Sequence, residues 1–587
     1  MIRKWTALVF VSILVAAGLL SCANLGTGAG GRADLAFING RIYTVDKENP
    51  IADTVAIRDG VFVYVGSSSD PAAAAWLARA RKVVDLEGAA VIPGMIDGHT
   101  HPAAVAFSAW KVILPWTDDV DELLSFIKEY CAEHPADEVP YFFGMYYPSE
   151  MFGTTGPTKE LLDSYVSDRP VRLQDFSDHC CWVNSRALEL MGVDKDTPDP
   201  QPGLSYFVRD AQGNPTGWVK ENAMADFEDV MFEAIGWYPP EDMTPELLQP
   251  LLDFWHSKGV IGLLDAVVEG ESVLETIHEL DRLGKLCMYY EGCSLLTEFA
   301  ELDNAIATAK EWQEKYGTDH IRINTIKYFL DGTNEIGTSA VIQPFSNDPT
   351  GTNYGSLNMS REDLASVLVR LNAEKLDFHV HLVGDRAFRT ICDAVEDART
   401  ACGDAWDIDV ELTHCELVDP ADMRRPAELG IQINWTPHWT GGYFGEAAKE
   451  WLGEERFNRM YDFTTMIASG ALVNYGSDVV SMEEFTRSDP FFGMQIAHTR
   501  IDPDYTMDTV VRAPASACFP LEDLLEGYTL NAAIELDIED LTGSIEIGKR
   551  ANLCVLSADP FQVPAEEISG ITPTLVLFEG HAIYGEF

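Results

Sequence analysis

From about residue 90 to residue 478 the chain alternates two hydrophobic patterns. Short runs rich in Val, Ile, Leu and aromatic residues end at Gly, Asp or Pro. Between most of them lie segments whose apolar positions recur every three to four residues. The runs read as buried strands: "AAVIPGMIDGH", "GVIGLLDAVV", "LCMYYEGCSLL", "IRINTIKYFLDG", "DFHVHLVGD", "DVELTHCEL", "IQINWTP" and "GALVNYGSD". The intervening segments, such as "REDLASVLVRLNAEK" and "RTICDAVEDARTA", read as amphipathic helices. Eight such units predict an α/β fold, a (β/α)8 TIM barrel spanning residues 92–540. The stretch from about 105 to 255 is too long for a loop and predicts an inserted subdomain.

Both ends of the chain switch to period-two alternation with Gly turns. "LAFINGRIYTVD" and "TVAIRDGVFVYVG" lie within residues 34–91, and "GSIEIGKRANLCVLS" and "PTLVLFEGHAIYG" within 541–587. The economical reading is one small β-sandwich composed from both ends, with the barrel inserted in it. Residues 1–21 have the form of a signal peptide, with Arg3 and Lys4 before an apolar run of about sixteen residues. "LLSC" resembles a bacterial lipobox. It makes Cys22 the expected lipidation site, residues 22–33 a flexible Gly- and Ala-rich tether, and the cell envelope the expected location. The anchor would sit at the outer membrane or periplasmic face, with membrane contact through the lipid alone.

Charge narrows the partners. The chain carries 94 Asp and Glu against 41 Lys and Arg, a formal net charge of -53. Such a surface repels phosphate backbones, so nucleic acid is not an expected partner; a small molecule is, and self-association into a homo-oligomer stays open. The eleven cysteines include no CxxC pair, which removes a cysteine zinc site from consideration.

The candidate chemistry lies at strand ends. His99 and His101, in "GHTHP", share one strand face. Lys327 follows Ile321, Ile323 and Thr325 at the same parity. His381, His414 and Asp478 close three later strands. Four imidazoles and a carboxylate suit a divalent metal, zinc above all, with two ions expected and one as the alternative. Such ions acidify a water, whose proton Asp478 can accept. Lys327 fits such a site only if its positive charge is reversed.

"PGMIDGHTHP", "IKYFLDG", "HLVGDRA", "ELTHCEL" and "NYGSD", in this order, resemble the amidohydrolase superfamily. The similarity is to its amidohydrolase 3 branch, which includes N-substituted formamide deformylase. The resemblance implies that His99 and His101 bind the more buried ion and that His381 and His414 bind the second. Lys327 would be carboxylated and bridge both, and Asp478 would be the shared base. It implies hydrolysis of an amide or N-formyl C–N bond in a small-molecule substrate. A deaminase or cyclic-amide hydrolase on the same scaffold is the alternative, and a non-catalytic metal- or solute-binding lipoprotein the alternative of another class. His179, Trp182, Asn184, Arg386 and His438 are the candidate substrate contacts. Two positions depart from the family pattern: Ser177-Asp178-His179 replaces its Asp-Gly-His, and Asn552 stands where an aspartate is usual.

Overall fold

The computed structural model describes residues 32–221, 223–240, 242–441, 445–504 and 511–586. Cys22 and the expected signal peptide and most of the tether lie outside them. The chain divides into two compact units. One takes the described residues of Met1–Gly94, Asp537–Gln562 and Ile571–Phe587, the other Met95–Leu536 and Val563–Gly570.

The larger unit is built on eight parallel strands: β1 (Met95–Thr100), β2 (Val260–Asp265), β3 (Tyr289–Leu296), β4 (Ile321–Phe329), β5 (Asp377–Leu382), β6 (Val410–His414), β7 (Gln432–Trp435) and β8 (Leu472–Tyr475). Each pairs with the next in sequence. This is the expected (β/α)8 order. The ends of the sheet approach each other just beyond β8. There the Asp478 N–H donates to the His99 carbonyl (2.7 Å), and Ser477 donates its N–H (2.8 Å) and hydroxyl (2.6 Å) to the Asp97 carboxylate.

Helices around the barrel form where the sequence supplies caps and a stripe. In α1 (Arg361–Glu374), Ser360 accepts from the Asp363 N–H, and Glu362 and Asp363 load the first turn with negative charge. Leu364, Val367, Leu368 and Leu371 then bury one face at helical spacing. In α2 (Asp385–Cys402), Phe388, Ile391, Cys392 and Val395 do the same. The apolar run ending in "MIDGH" is two elements rather than one. Ala90–Pro93 belongs to the smaller unit's sheet and Met95–Thr100 is β1. Pro93 lacks the N–H that an unbroken ladder needs.

Between β1 and β2 the chain makes a six-stranded mixed sheet, from Val112–Ile113 to Pro215–Lys220. Its core includes Phe142, Tyr147, Leu173 and Trp182.

The smaller unit has a four-stranded and a six-stranded sheet. In the second, Leu553–Leu556 lies between Ala90–Pro93 and Pro573–Phe578, antiparallel to both. Leu35, Phe37, Val55 and Phe62 share one core with Leu553 and Leu577. Asn552 is buried here. Its amide nitrogen donates to the Thr542 hydroxyl (3.0 Å) and its oxygen accepts from the Glu579 N–H (2.7 Å). An aspartate could accept but not donate, so the amide suits this position.

Candidate metal centre

All six strand-end residues line one cavity of about 1110 Å³ at the C-terminal mouth of the barrel. Parallel strands deliver side chains of equal parity to that end, which is where such barrels concentrate reactive groups. Asp478 is the hub. Its Oδ1 lies 3.2 Å from both His99 Nε2 and His101 Nε2, and its Oδ2 lies 3.6 Å from His414 Nδ1. The His381 and His414 rings stand 4.5 Å apart. Two of these residues sit in the left-handed backbone region, His414 at φ 74° and Asp478 at φ 50°. For a non-glycine residue this costs on the order of 1–3 kcal/mol and persists only where surrounding structure imposes it.

Burial sets the protonation states. It pushes His99 down to about 3 and holds His381 and His414 well below the usual imidazole range. At neutral pH these rings therefore present lone pairs. Burial alone would raise Asp478, but the surrounding imidazoles outweigh it and hold the carboxyl ionised. Burial also lowers Lys327 to about 8. His99 Nε2, His381 Nε2, His414 Nδ1 and Lys327 Nζ are buried and make no hydrogen bond. Leaving four such atoms unpaired is expensive unless something else satisfies them. Neutral nitrogen donors around a carboxylate match a divalent cation, so the residues fit a metal.

A buried chain of polar groups holds His99 from below. His99 Nδ1 meets His379 Nε2 at 2.7 Å, and His379 Nδ1 meets Glu411 Oε1 at 3.0 Å. Asn474 donates to the other Glu411 oxygen (3.1 Å), and Asn434 donates to Asn474 (2.6 Å). If the His99 Nε2 lone pair faces the cavity, Nδ1 carries the proton and donates to His379, which in turn donates to Glu411. Glu535 lies beside Glu411; burial and that neighbouring carboxylate raise it well above the usual range, so it stays protonated. His379, Glu411 and Glu535 are close enough to hold a cation themselves. An ion at His379 Nδ1 would need the lone pair that this chain occupies with a proton.

The candidate substrate contacts divide. His179 lines the cavity, 5.4 Å ring to ring from His381. Its Nδ1 lies 2.6 Å from Glu221 Oε2. Burial would lower its pKa, but Glu221 outweighs burial and lifts it to about 9. Trp182 and Asn184 do not line the cavity. Trp182 donates to the Thr158 carbonyl (3.0 Å) inside the six-stranded-sheet core. Asn184 caps the helix Ser185–Met191 and donates to Val166 and Arg169 carbonyls (3.1 and 2.9 Å). Their polar groups are engaged in holding that subdomain. Arg386 donates to the Tyr354 and Gly355 carbonyls (3.0 and 2.9 Å), outside the cavity lining. His438 is buried beside Trp439 rather than lining the cavity. Sequence reasoning passed over Glu221, Glu411, Glu416, Trp439 and Glu535. Glu411 interrupts the apolar run "VELTH" of β6, a signal that could have drawn attention to it; Glu535, in the helix Ala532–Glu535, offers none.

Comparison with known proteins shows the family to which the chain belongs. Residues 82–584 match the profile of a family described as the amidohydrolase family. The chain is 30% identical over 437 residues to the exoenzymes regulatory protein AepA of Pectobacterium carotovorum subsp. carotovorum, covering 73% of this chain and 90% of that protein. It is 27% identical to N-substituted formamide deformylase of Arthrobacter pascens, covering 91% of this chain and 95% of that one. A metal-dependent hydrolase of uncharacterised activity from Pyrococcus furiosus superposes with a TM-score of 0.60 at 25% identity. It covers 90% of this chain and 100% of that one.

The geometry yields one prediction. A Cβ on Gly476 would fall 2.4 Å from the His99 Cβ and 2.5 Å from its backbone nitrogen. Gly476→Ala must therefore displace His99. Metal affinity should drop about 10–100-fold, the scale for disturbing what orients a ligand, with circular dichroism unchanged. A chelator competition titration measures it, and parental affinity in the variant would refute the constraint.

Proposed function

Because the chain belongs to the amidohydrolase family, we propose that it hydrolyses the C–N bond of an amide or N-formyl group in a small molecule. The observation that carries this is the convergence of four unpartnered buried nitrogens on one ionised carboxylate inside a cavity. In the reaction water's oxygen bonds to the carbonyl carbon, the C–N bond breaks, and the nitrogen leaves as an amine. A bound divalent ion supplies Lewis acidity and makes a water a nucleophile near neutral pH. Zinc suits the donor set; His99 and His101 would hold one ion and His381 and His414 a second, with Asp478 and Lys327 available to either.

Asp478, ionised and at the open side, accepts the proton that water releases and returns it to the leaving nitrogen. His179, kept protonated by Glu221, presents positive charge beside His381, where the carbonyl oxygen gains negative charge. Lys327 is the member that a plain imidazole site does not need. Burial brings its amine within reach of the neutral form, and a neutral amine adds to carbon dioxide, forming an N–C bond and losing a proton. The resulting carbamate is an anion with two oxygen donors. The Lys327 Nζ, buried and without a hydrogen bond, is suited to this change.

Lys327→Ala should lose metal and activity together, each by about 10–100-fold or more, the scale for disturbing a metal's ligand shell. Formate or acetate should restore part of each. Elemental analysis and turnover of N-formyl and N-acetyl amines read both. A variant with full metal content and full activity would remove the lysine from the mechanism.

The His179–Glu221 pair predicts an alkaline limb. The folded pKa is raised, from an ordinary 6.5 to about 9, so the protonated form persists below about 9 and is lost above it. kcat/KM should fall through that pH, and Glu221→Gln should move the limb down toward 6.5. A limb that stays in place in the variant would assign it to another group.

We also place the protein in the cell envelope on a lipid at Cys22, on the support of the lipobox-like "LLSC". Cys22→Ala should release the protein from the membrane fraction or block signal processing. An unchanged N-terminal mass and fractionation would exclude the anchor.

A further inference from the structure

The cavity is far more acidic than its metal chemistry requires. Of its forty lining residues among those described, eleven are Asp or Glu and two are Lys or Arg. Acidic residues make up about one in six of the chain, 94 of 587, but more than one in four of this lining. Four of the eleven have other work. Asp478 belongs to the metal centre, and Asp331 accepts from the Ala340, Val383 and Gly384 backbone N–H groups. Glu221 pairs with His179 (2.6 Å), and Asp175 accepts from the Ser149 and Ser177 hydroxyls (both 2.8 Å). Seven remain. Of the two Lys and Arg residues, Lys327 lies among the metal-facing side chains and Arg172 pairs with Glu228 outside the lining (2.8 Å); the third positive group, His179, is matched by Glu221.

The excess is organised beside the metal centre. Glu416 follows His414 by two residues and is buried, with its Oε2 accepting from Asn334 (2.9 Å). Glu335 is the neighbour of Asn334, and its carboxylate approaches the Tyr461 hydroxyl and Arg512 guanidinium around Gly445. Arg512 acts on both Glu335 and Glu416, yet burial raises both carboxyls above the usual range, Glu335 adding to the rise at Glu416, so this buried pair is short of positive charge. Trp439 stacks on the His414 ring at 5.2 Å and 22° and lines the cavity, as does Tyr461. The Thr333 hydroxyl, on another lining residue, is buried without a partner. Two carboxylates, two aromatic rings and a free hydroxyl acceptor are the parts of a receptor for an organic cation. A carboxylate-bearing substrate would meet repulsion on the same wall.

Resting on the hydrolase reading above, we propose that the substrate is an amide carrying a cationic amino or guanidino group, seated between Glu335, Glu416, Trp439 and Tyr461 while its C–N bond faces the metal centre. The charged group is then a recognition element that takes no part in bond breaking.

The test compares the metal-loaded protein on three amides of matched length. They are monoacetylated 1,5-diaminopentane, N-acetyl hexylamine, and the N-acetyl amine ending in a carboxylate. The cationic amide should exceed the neutral one in kcat/KM by at least about ten-fold at low salt, with the gap narrowing as salt rises, as for charge-assisted contacts in a polar cleft. Glu335→Gln and Glu416→Gln should each shrink the cationic-to-neutral ratio. Should Glu416→Gln fail to fold, Glu335→Gln, at a partly exposed position, carries the test. Calorimetry with 1,5-diaminopentane against the uncharged 1-hexanol reads the charge preference without turnover. Tighter diamine binding with no amide hydrolysed supports the cation receptor and overturns the hydrolase reading. Amide turnover with equal or better use of the neutral or anionic compound overturns this inference and leaves the hydrolase reading standing.

Discussion

The site depends on the seam where the end of the last barrel strand meets the first. Asp478 donates its backbone N–H to the His99 carbonyl, and its side chain faces the His99, His101 and His414 rings. One residue thus joins the barrel's ends and centres its polar cluster. Ser477 ties the same seam to buried Asp97, and Gly476 lets the strand pass close beneath His99. Closure of the fold and geometry of the site cannot be varied separately.

Strain gathers where the cavity is. Tyr146, Asp178, Glu221, His414 and Asp478 all line it and all adopt positive φ. Such conformations are held by their surroundings rather than chosen by the residue. The packed barrel supplies that hold: Phe378, Val380, Leu412, Ile433 and Val473 from successive strands are almost wholly buried. A rigid apolar barrel supports an otherwise unfavourable collection of polar side chains and bent backbone at its mouth.

Much of the architecture is legible in the linear pattern. Eight apolar runs of strand length separated by helical periodicity have one common closed solution, and strand parity is enough to aim Lys327 and His414 inward. The His-Thr-His at the end of β1 stands out because an apolar run rarely closes on two imidazoles. Other features leave little trace. Trp182 and Asn184 sit in a motif-like stretch, yet their polar atoms bond to Thr158, Val166 and Arg169, and residue type does not tell a capping amide from a ligand-facing one. Glu535 reaches the barrel interior from a helix more than a hundred residues beyond Glu411, a proximity that only the folded chain creates.

The composite smaller unit imposes an order on the molecule's birth. The strand Leu553–Leu556 lies between Ala90–Pro93 and Pro573–Phe578, so the sheet that Ala90–Pro93 begins lacks these members until about 460 more residues have been made. A ribosome adding about 5–20 residues per second leaves those early strands waiting for tens of seconds. During that time Val91 and Ile92 present an apolar, half-paired edge, the kind that invites wrong partners. The eight barrel strands, all of which precede Leu553, can assemble in this interval, and the smaller unit's six-stranded sheet gains its inner strand only after Leu553–Leu556 has been made.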